Sequence, residues 1–159
     1  MSRLTVLVDG PSGAGKTTFA EAVSRRTGLR VVHLDDFYPG WSGLASASRM
    51  VVHDVLDPRD PGYRRWDWVA GVPGDWVSLD PEESVIIEGV GAVTEASIAA
   101  AGALGDVLTV RLNAPARVRR ARALTRDTGY EPFWDMWAGQ EELHFREHGR
   151  VPVDFELEW

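Results

Sequence analysis

The chain predicts a three-layer α/β fold, with helices on both faces of a parallel sheet of about five strands. Two observations carry this. Short apolar runs alternate with segments of helical period along most of the sequence. The first run, Leu4-Thr5-Val6-Leu7-Val8, leads after Asp9 into Gly10-Pro11-Ser12-Gly13-Ala14-Gly15-Lys16-Thr17, which satisfies G-x-x-x-x-G-K-[ST]. The length of 159 residues, 44% of them hydrophobic and 26% charged, fits a single domain spanning 1–159 with a sizeable core.

The glycine-rich stretch reads as a phosphate-binding loop. Its glycines let successive backbone N–H groups turn inward around phosphate oxygens, and the helix that follows presents its positive end. Gly10, Ser12, Gly13, Ala14, Gly15, Lys16, Thr17 and Thr18 form the expected nucleotide cradle, in which Lys16 reaches the β- and γ-phosphates and Thr17 ligates Mg²⁺. Composition adds a second argument. Of 17 basic residues sixteen are arginine, and the one lysine is Lys16. A bias toward arginine that stops at one position indicates a chemical demand there for a compact ammonium on a flexible stem.

The elements follow in order. Thr17 to Thr27 has helical period through Phe19, Ala22 and Val23, and Gly28 supplies the stop. Arg30-Val31-Val32-His33-Leu34 is the second parallel strand, ending at Asp35-Asp36-Phe37-Tyr38. Ligands in such sheets sit beyond the carboxyl ends of strands, so these aspartates face the loop; a solvated turn or helix cap is the plain alternative. Leu44, Ala47, Val51 and Val55 space a helix over Ser42 to Leu56. Asp57 to Gly74 has no clean period and is expected as a loop region, in which Asp67 sits between Trp66 and Trp68 near two arginines; Trp76 to Leu79 is a candidate short strand. Val85-Ile86-Ile87-Glu88-Gly89 reads as a buried strand ending in an acid, where a second Mg²⁺ or water-organising carboxylate belongs, a helix cap being the alternative.

Thr94 to Ala103 is expected as a helix and Asp106 to Leu112 as the fourth strand. Pro115 to Arg126 reads as a helix with Val118, Ala121 and Thr125 on one side. Arg119, Arg122 and Arg126 fall on the other at i, i+3 and i+7, where an anion would relieve their repulsion and a solvated basic face is the alternative. Asp127 to Pro132 breaks that helix, giving a mobile flap or lid at about 126–133. A last helix from Phe133 to Glu147 carries Trp137, Glu141, His144 and His148 along one side; without a third ligand, the histidine pair reads as surface or packing. Val151 to Trp159 is a candidate fifth strand. Trp41, Trp66, Trp68, Trp134 and Trp137 form either an aromatic pocket or part of the core.

A net charge of -7 argues against a broad nucleic-acid or anionic-membrane surface, and no apolar run approaches the roughly 20 residues of a membrane span. Met1-Ser2-Arg3 leads directly into the first strand, so no signal peptide is expected, and the absence of cysteine is compatible with the cytoplasm.

Together, Gly10 to Thr18, the Asp35-Asp36-Phe37-Tyr38 turn, Ile86-Ile87-Glu88-Gly89 and the arginine stripe before Gly129-Tyr130 resemble the uridine kinase and nicotinamide riboside kinase group of P-loop kinases. The resemblance implies a P-loop NTPase fold, ATP and Mg²⁺ as cofactors, and phosphoryl transfer to a hydroxyl of a small, nucleoside-like substrate. It implies that Asp35 is the base, that Thr17 and Glu88 serve Mg²⁺, and that Arg119, Arg122 and Arg126 belong to a lid over the phosphates. Asp35, Tyr38 and Asp67 would face the substrate. The hairpin that reads the base in uridine kinases has no expected counterpart. A nucleoside monophosphate or other metabolite kinase is an alternative, and a nucleotide-binding switch or regulatory ATPase is one of another class.

Overall fold

The computed structural model describes residues 2–158. Met1 and Trp159 lie outside them, including the end of the expected last strand.

Five strands form one parallel sheet: β1 (Arg3–Asp9), β2 (Arg30–His33), β5 (Val85–Glu88), β6 (Gly105–Asn113) and β7 (Phe155–Glu158), in the order β2-β5-β1-β6-β7. Period-two alternation sends neighbouring side chains to opposite faces. On one face Val6, Val8, Ile86, Val110 and Leu112 pack with Ala20, Phe19 and Val23 of α1 (Lys16–Thr27). On the other, Leu7, Val32, Val85 and Ile87 meet α2 (Leu44–Met50), α3 (Glu95–Gly102) and α5 (Trp134–His148). The interior strand β5 is buried along its whole length, as expected for a strand covered on both faces.

Helix signals work locally. Gly28 ends α1 in the left-handed conformation, and Thr94 caps α3 through a reciprocal pair of bonds with Ser97. The helix expected over Ser42–Leu56 is α2 continued by a π-helical turn, Val51–Val55.

Two expectations are corrected, and the expected lid takes a definite form. The segment read as a loop between Asp57 and Gly74 holds β3 (Gly62–Asp67) and the start of β4 (Val72–Ser78), an antiparallel hairpin with a register shift between Arg64 and Trp66, and β4 takes in most of the short strand expected at Trp76 to Leu79. Its outward-facing residues are exposed on both sides, so no alternation marks it. Helix α4 (Ala116–Arg126) buries Ala123 and partly Leu124, whereas Ala121 and Thr125 are exposed. The segment expected as a flap or lid at about 126–133 contains a 3-10 helix, Thr128–Phe133, in which Tyr130 is buried. Among the described residues no helix is long and apolar enough to cross a membrane.

Gly105 opens β6 at φ +156°, where an added Cβ would fall 2.3 Å from the Arg3 carbonyl oxygen. Gly105→Ala should therefore destabilise the fold by about 2–4 kcal/mol through strain and overpacking, read from urea unfolding, without touching the cavity described next.

Candidate active site

At the carboxyl ends of β1, β2 and β5 the sheet opens into a cavity of about 380 Å³. Its floor is the loop after β1. Gly15 is left-handed, and α1 has no side-chain cap, so the amides of its first turn are free for an anion. Gly13 has φ +79°, and a Cβ there would strike the Arg119 carbonyl oxygen at 2.2 Å, because the loop lies directly on the α4 backbone. Of the expected cradle, Ser12, Gly13, Gly15, Lys16 and Thr17 line the cavity. Gly10 and Ala14 are buried beneath it, and Thr18 is exposed outside it.

The acidic wall comes from two strand ends. Asp35 and Asp36 form a 3-10 turn directly after β2, and both line the cavity. Asp35 is open to the cavity but closely surrounded by protein, and this loss of bulk water pushes its carboxyl above the ordinary value. The Glu88 charge adds to the rise, while Lys16 and Arg126 oppose it. Glu88 is buried at the end of β5, and its Oε1 accepts from Thr17 Oγ1 at 3.1 Å. The same oxygen meets His33 Nδ1 at 2.6 Å, a bond that raises the imidazole above its ordinary value. The expected Thr17 and Glu88 thus meet directly, and His33 is a member that the sequence reading passed over within an apolar strand.

The arginine stripe divides. Arg126 lines the cavity. Arg119 and Arg122 instead turn to the outer side of the loop, Arg119 donating to the Ala114 carbonyl at 2.9 Å and standing 3.5 Å from that of Ser12, Arg122 standing 3.4 Å from that of Gly13.

The tryptophans divide as well. Trp41, Trp68 and Trp137 line the cavity, while Trp134 packs against the core. Trp41 is the centre of the aromatic wall, stacked on Phe133 at 4.6 Å and tilted against Trp68 at 5.2 Å. Trp68, from the hairpin tip, donates its indole N–H to the Asp35 carbonyl at 3.0 Å. Asp67 is not brought to the cavity: it is exposed, and its Oδ1 accepts the amides of Val69 and Ala70, closing the hairpin turn. Tyr38 lines the cavity, but its hydroxyl is committed to the Val90 carbonyl at 2.7 Å.

Behind the loop stands a polar layer that sequence reasoning had seen only as a stripe on the last helix. His144 Nε2 meets Asp9 Oδ2 at 2.9 Å, and Asp9 also accepts the amides of Gly10, Gly91 and Val93. Glu141 Oε2 accepts the Ser12 amide at 2.8 Å, while the Ser12 hydroxyl meets Tyr130 OH at 2.9 Å and accepts from Trp137 Nε1 at 3.1 Å. A larger cavity of about 640 Å³ lies between α2, α3 and α5, away from the loop.

No family model matches the chain. Over 79 residues it is 35% identical to a protein described as a probable gluconokinase from Schizosaccharomyces pombe; this segment covers 50% of the chain but only 37% of that protein. Solved structures align along nearly the whole chain. A possible uridine kinase from Bacillus stearothermophilus matches with TM-score 0.62 at 19% identity, covering 99% of this chain and 89% of that one. A sugar kinase from Janibacter sp. HTCC2649 matches with TM-score 0.57 at 22% identity, covering 100% and 85%. The APS kinase of Mycobacterium tuberculosis matches with TM-score 0.52 at 16% identity, covering 99% and 88%. The five-stranded parallel sheet with flanking helices is the three-layer fold that the chain has in common with these solved structures.

Proposed function

We propose that the chain is an ATP- and Mg²⁺-dependent phosphotransferase that moves the γ-phosphoryl group to a hydroxyl of a small molecule, working as one kinase domain with residues 126–133 as its lid. The observation that carries this reading is convergence: Lys16, the Thr17–Glu88 pair, Asp35 and Arg126 share one cavity. A hydroxyl acceptor needs a base and a surface to rest on, which Asp35 and the aromatic wall can supply, whereas a switch or regulatory ATPase needs only a positioned water.

The residues fit ATP and Mg²⁺. The uncapped first turn of α1 suits a phosphate, and a hydroxyl beside a carboxylate at the cavity edge is the hard-oxygen donor set that Mg²⁺ prefers. Thr17 and Glu88 would hold the ion, which when bound neutralises charge on phosphoryl oxygens. Asp35, with its raised proton affinity, accepts the proton of the attacking hydroxyl more readily than an ordinary aspartate does. Lys16 and Arg126 place two cations where phosphoryl charge spreads in the loose transition state. Trp41 and Trp68 offer flat apolar faces to the acceptor, whether a nucleoside base or the C–H face of a sugar.

A nucleoside-like acceptor is the first reading, supported by the resemblance of the motifs to uridine kinases. A sugar or sugar-acid acceptor is the second, supported by the partial similarity to a gluconokinase. A screen of ATP consumption against nucleosides, nucleoside monophosphates, sugars and sugar acids separates them, and turnover with none of these, beside steady hydrolysis, would favour the ATPase.

Asp35→Asn should leave nucleotide binding intact and lower single-turnover transfer by roughly two to four orders of magnitude. Because the folded Asp35 carboxyl lies above its ordinary value of 3.8, the native state holds this proton more tightly than the unfolded chain, and stability falls as pH rises through that window. Asp35→Asn should therefore melt higher than the parent protein at neutral pH, the difference closing in acid below the unfolded value; a lower melting temperature at pH 7 would refute the burial argument. Thr17→Ala and Glu88→Gln should each weaken the Mg²⁺ dependence of nucleotide binding, measured by titrating Mg²⁺ at fixed nucleotide. Arg126→Ala should lower kcat far more than it raises KM for ATP, as befits a charge used in the transition state.

A further inference from the structure

The phosphate loop is gripped from behind by a carboxylate that none of the steps above uses. Glu141 lies on α5, 129 residues from Ser12 in sequence, and is 5% exposed. Its Oε2 takes the Ser12 amide at 2.8 Å, so this N–H is spoken for by the protein itself, while the amides of the α1 first turn stay free. Two neighbours reinforce the grip through the Ser12 hydroxyl: Trp137, one turn earlier on α5, and Tyr130 of the 3-10 segment. Burial raises the Glu141 carboxyl, and Lys16 opposes that rise most strongly, followed by the Ser12 amide. An amide donor and a nearby ammonium both favour the ionised acid against the burial that disfavours it.

A fixed negative charge behind an anion-binding loop has two opposite effects. As an acceptor it holds the loop in shape before the phosphates arrive, which removes an ordering cost from binding. As a charge it repels those phosphates and draws on the field of Lys16, which weakens binding. We propose that Glu141 is a positioning residue for the phosphate loop: it anchors the loop through Ser12 and, by its charge, limits how tightly a phosphate chain is held. The charge effect rests on the functional reading above; the anchor effect stands on geometry alone.

The two effects separate experimentally. Glu141→Gln keeps an acceptor of the same length and removes the charge, so Mg²⁺·ADP binding measured by calorimetry should tighten by roughly threefold to tenfold. A purely structural Glu141 would give unchanged or weaker affinity, and that result overturns the charge effect. The anchor is read in the wild-type protein without nucleotide, from hydrogen exchange of the Ser12 amide by NMR. That amide should exchange slowly, the free amides of the first α1 turn should exchange fast, and Glu141→Ala should accelerate Ser12 by roughly tenfold or more. Rapid exchange of Ser12 in the wild type overturns the anchor even if no variant folds. If the wild type binds neither ADP nor pyrophosphate, the kinase reading fails and takes the charge effect with it, while the Ser12 exchange rate still judges the anchor.

Discussion

The carboxylate of Asp9 is where the architecture closes on itself. It ends β1, is 1% exposed, and collects the amides of Gly10, Gly91 and Val93 together with His144 Nε2. Those partners belong to the start of the phosphate loop, to the turn after β5, and to the last helix. Hydrogen bonds to a buried charged group contribute about 1.5–3 kcal/mol each, and removing one partner leaves the charge uncompensated. Three regions that are distant in sequence therefore share one reference point, and the loop departs from it. The aim of the loop's amides depends on that point being occupied in full.

Electrostatics explains why acids and bases crowd so closely at this end of the sheet. Asp9, Glu88 and Glu141 are buried around the loop, and Asp35 and Asp36 face the cavity. An anion site ringed by five acids needs each of them committed. Asp9 and Glu141 bind loop amides, and Glu88 binds Thr17 and His33. Asp35 lacks such a partner, and its loss of bulk water together with the nearby Glu88 charge raises its carboxyl. Lys16 then serves several neighbours at once, which gives its singularity among sixteen arginines a physical basis.

What could be read from the sequence was what is local. The loop, the acids closing β2 and β5, and the five strands announce themselves by spacing within a dozen residues, and the structure has them where the pattern put them. Two failures share a cause in packing. The β3–β4 hairpin is covered on neither face for most of its length, so its side chains are under no pressure to alternate. Helix α4 meets the loop through its backbone at Arg119, which rotates its buried stripe onto Ala123 and turns Arg119 and Arg122 outward from the cavity. The roles of His33, Glu141 and His144 rest on partners 55, 129 and 135 residues away, and nothing in their own neighbourhoods could announce such pairings.

The hairpin gives the cavity two halves of unequal firmness. The phosphate side is built on the centre of the sheet, whereas Trp68 arrives on a two-stranded ribbon tied down by the Phe37–Tyr63 ring contact, the Leu79 amide on the Pro61 carbonyl and its own bond to Asp35. A lone two-stranded ribbon is marginal in water, so this one opens at lower free energy than the sheet beneath it. Warming loosens the Trp68 side of the cavity first. If the chain is the kinase proposed above, a temperature range follows in which the phosphate side still holds its ligand while the Trp68 wall is progressively less often in place, so that selectivity among acceptors fades before affinity for the phosphate donor does.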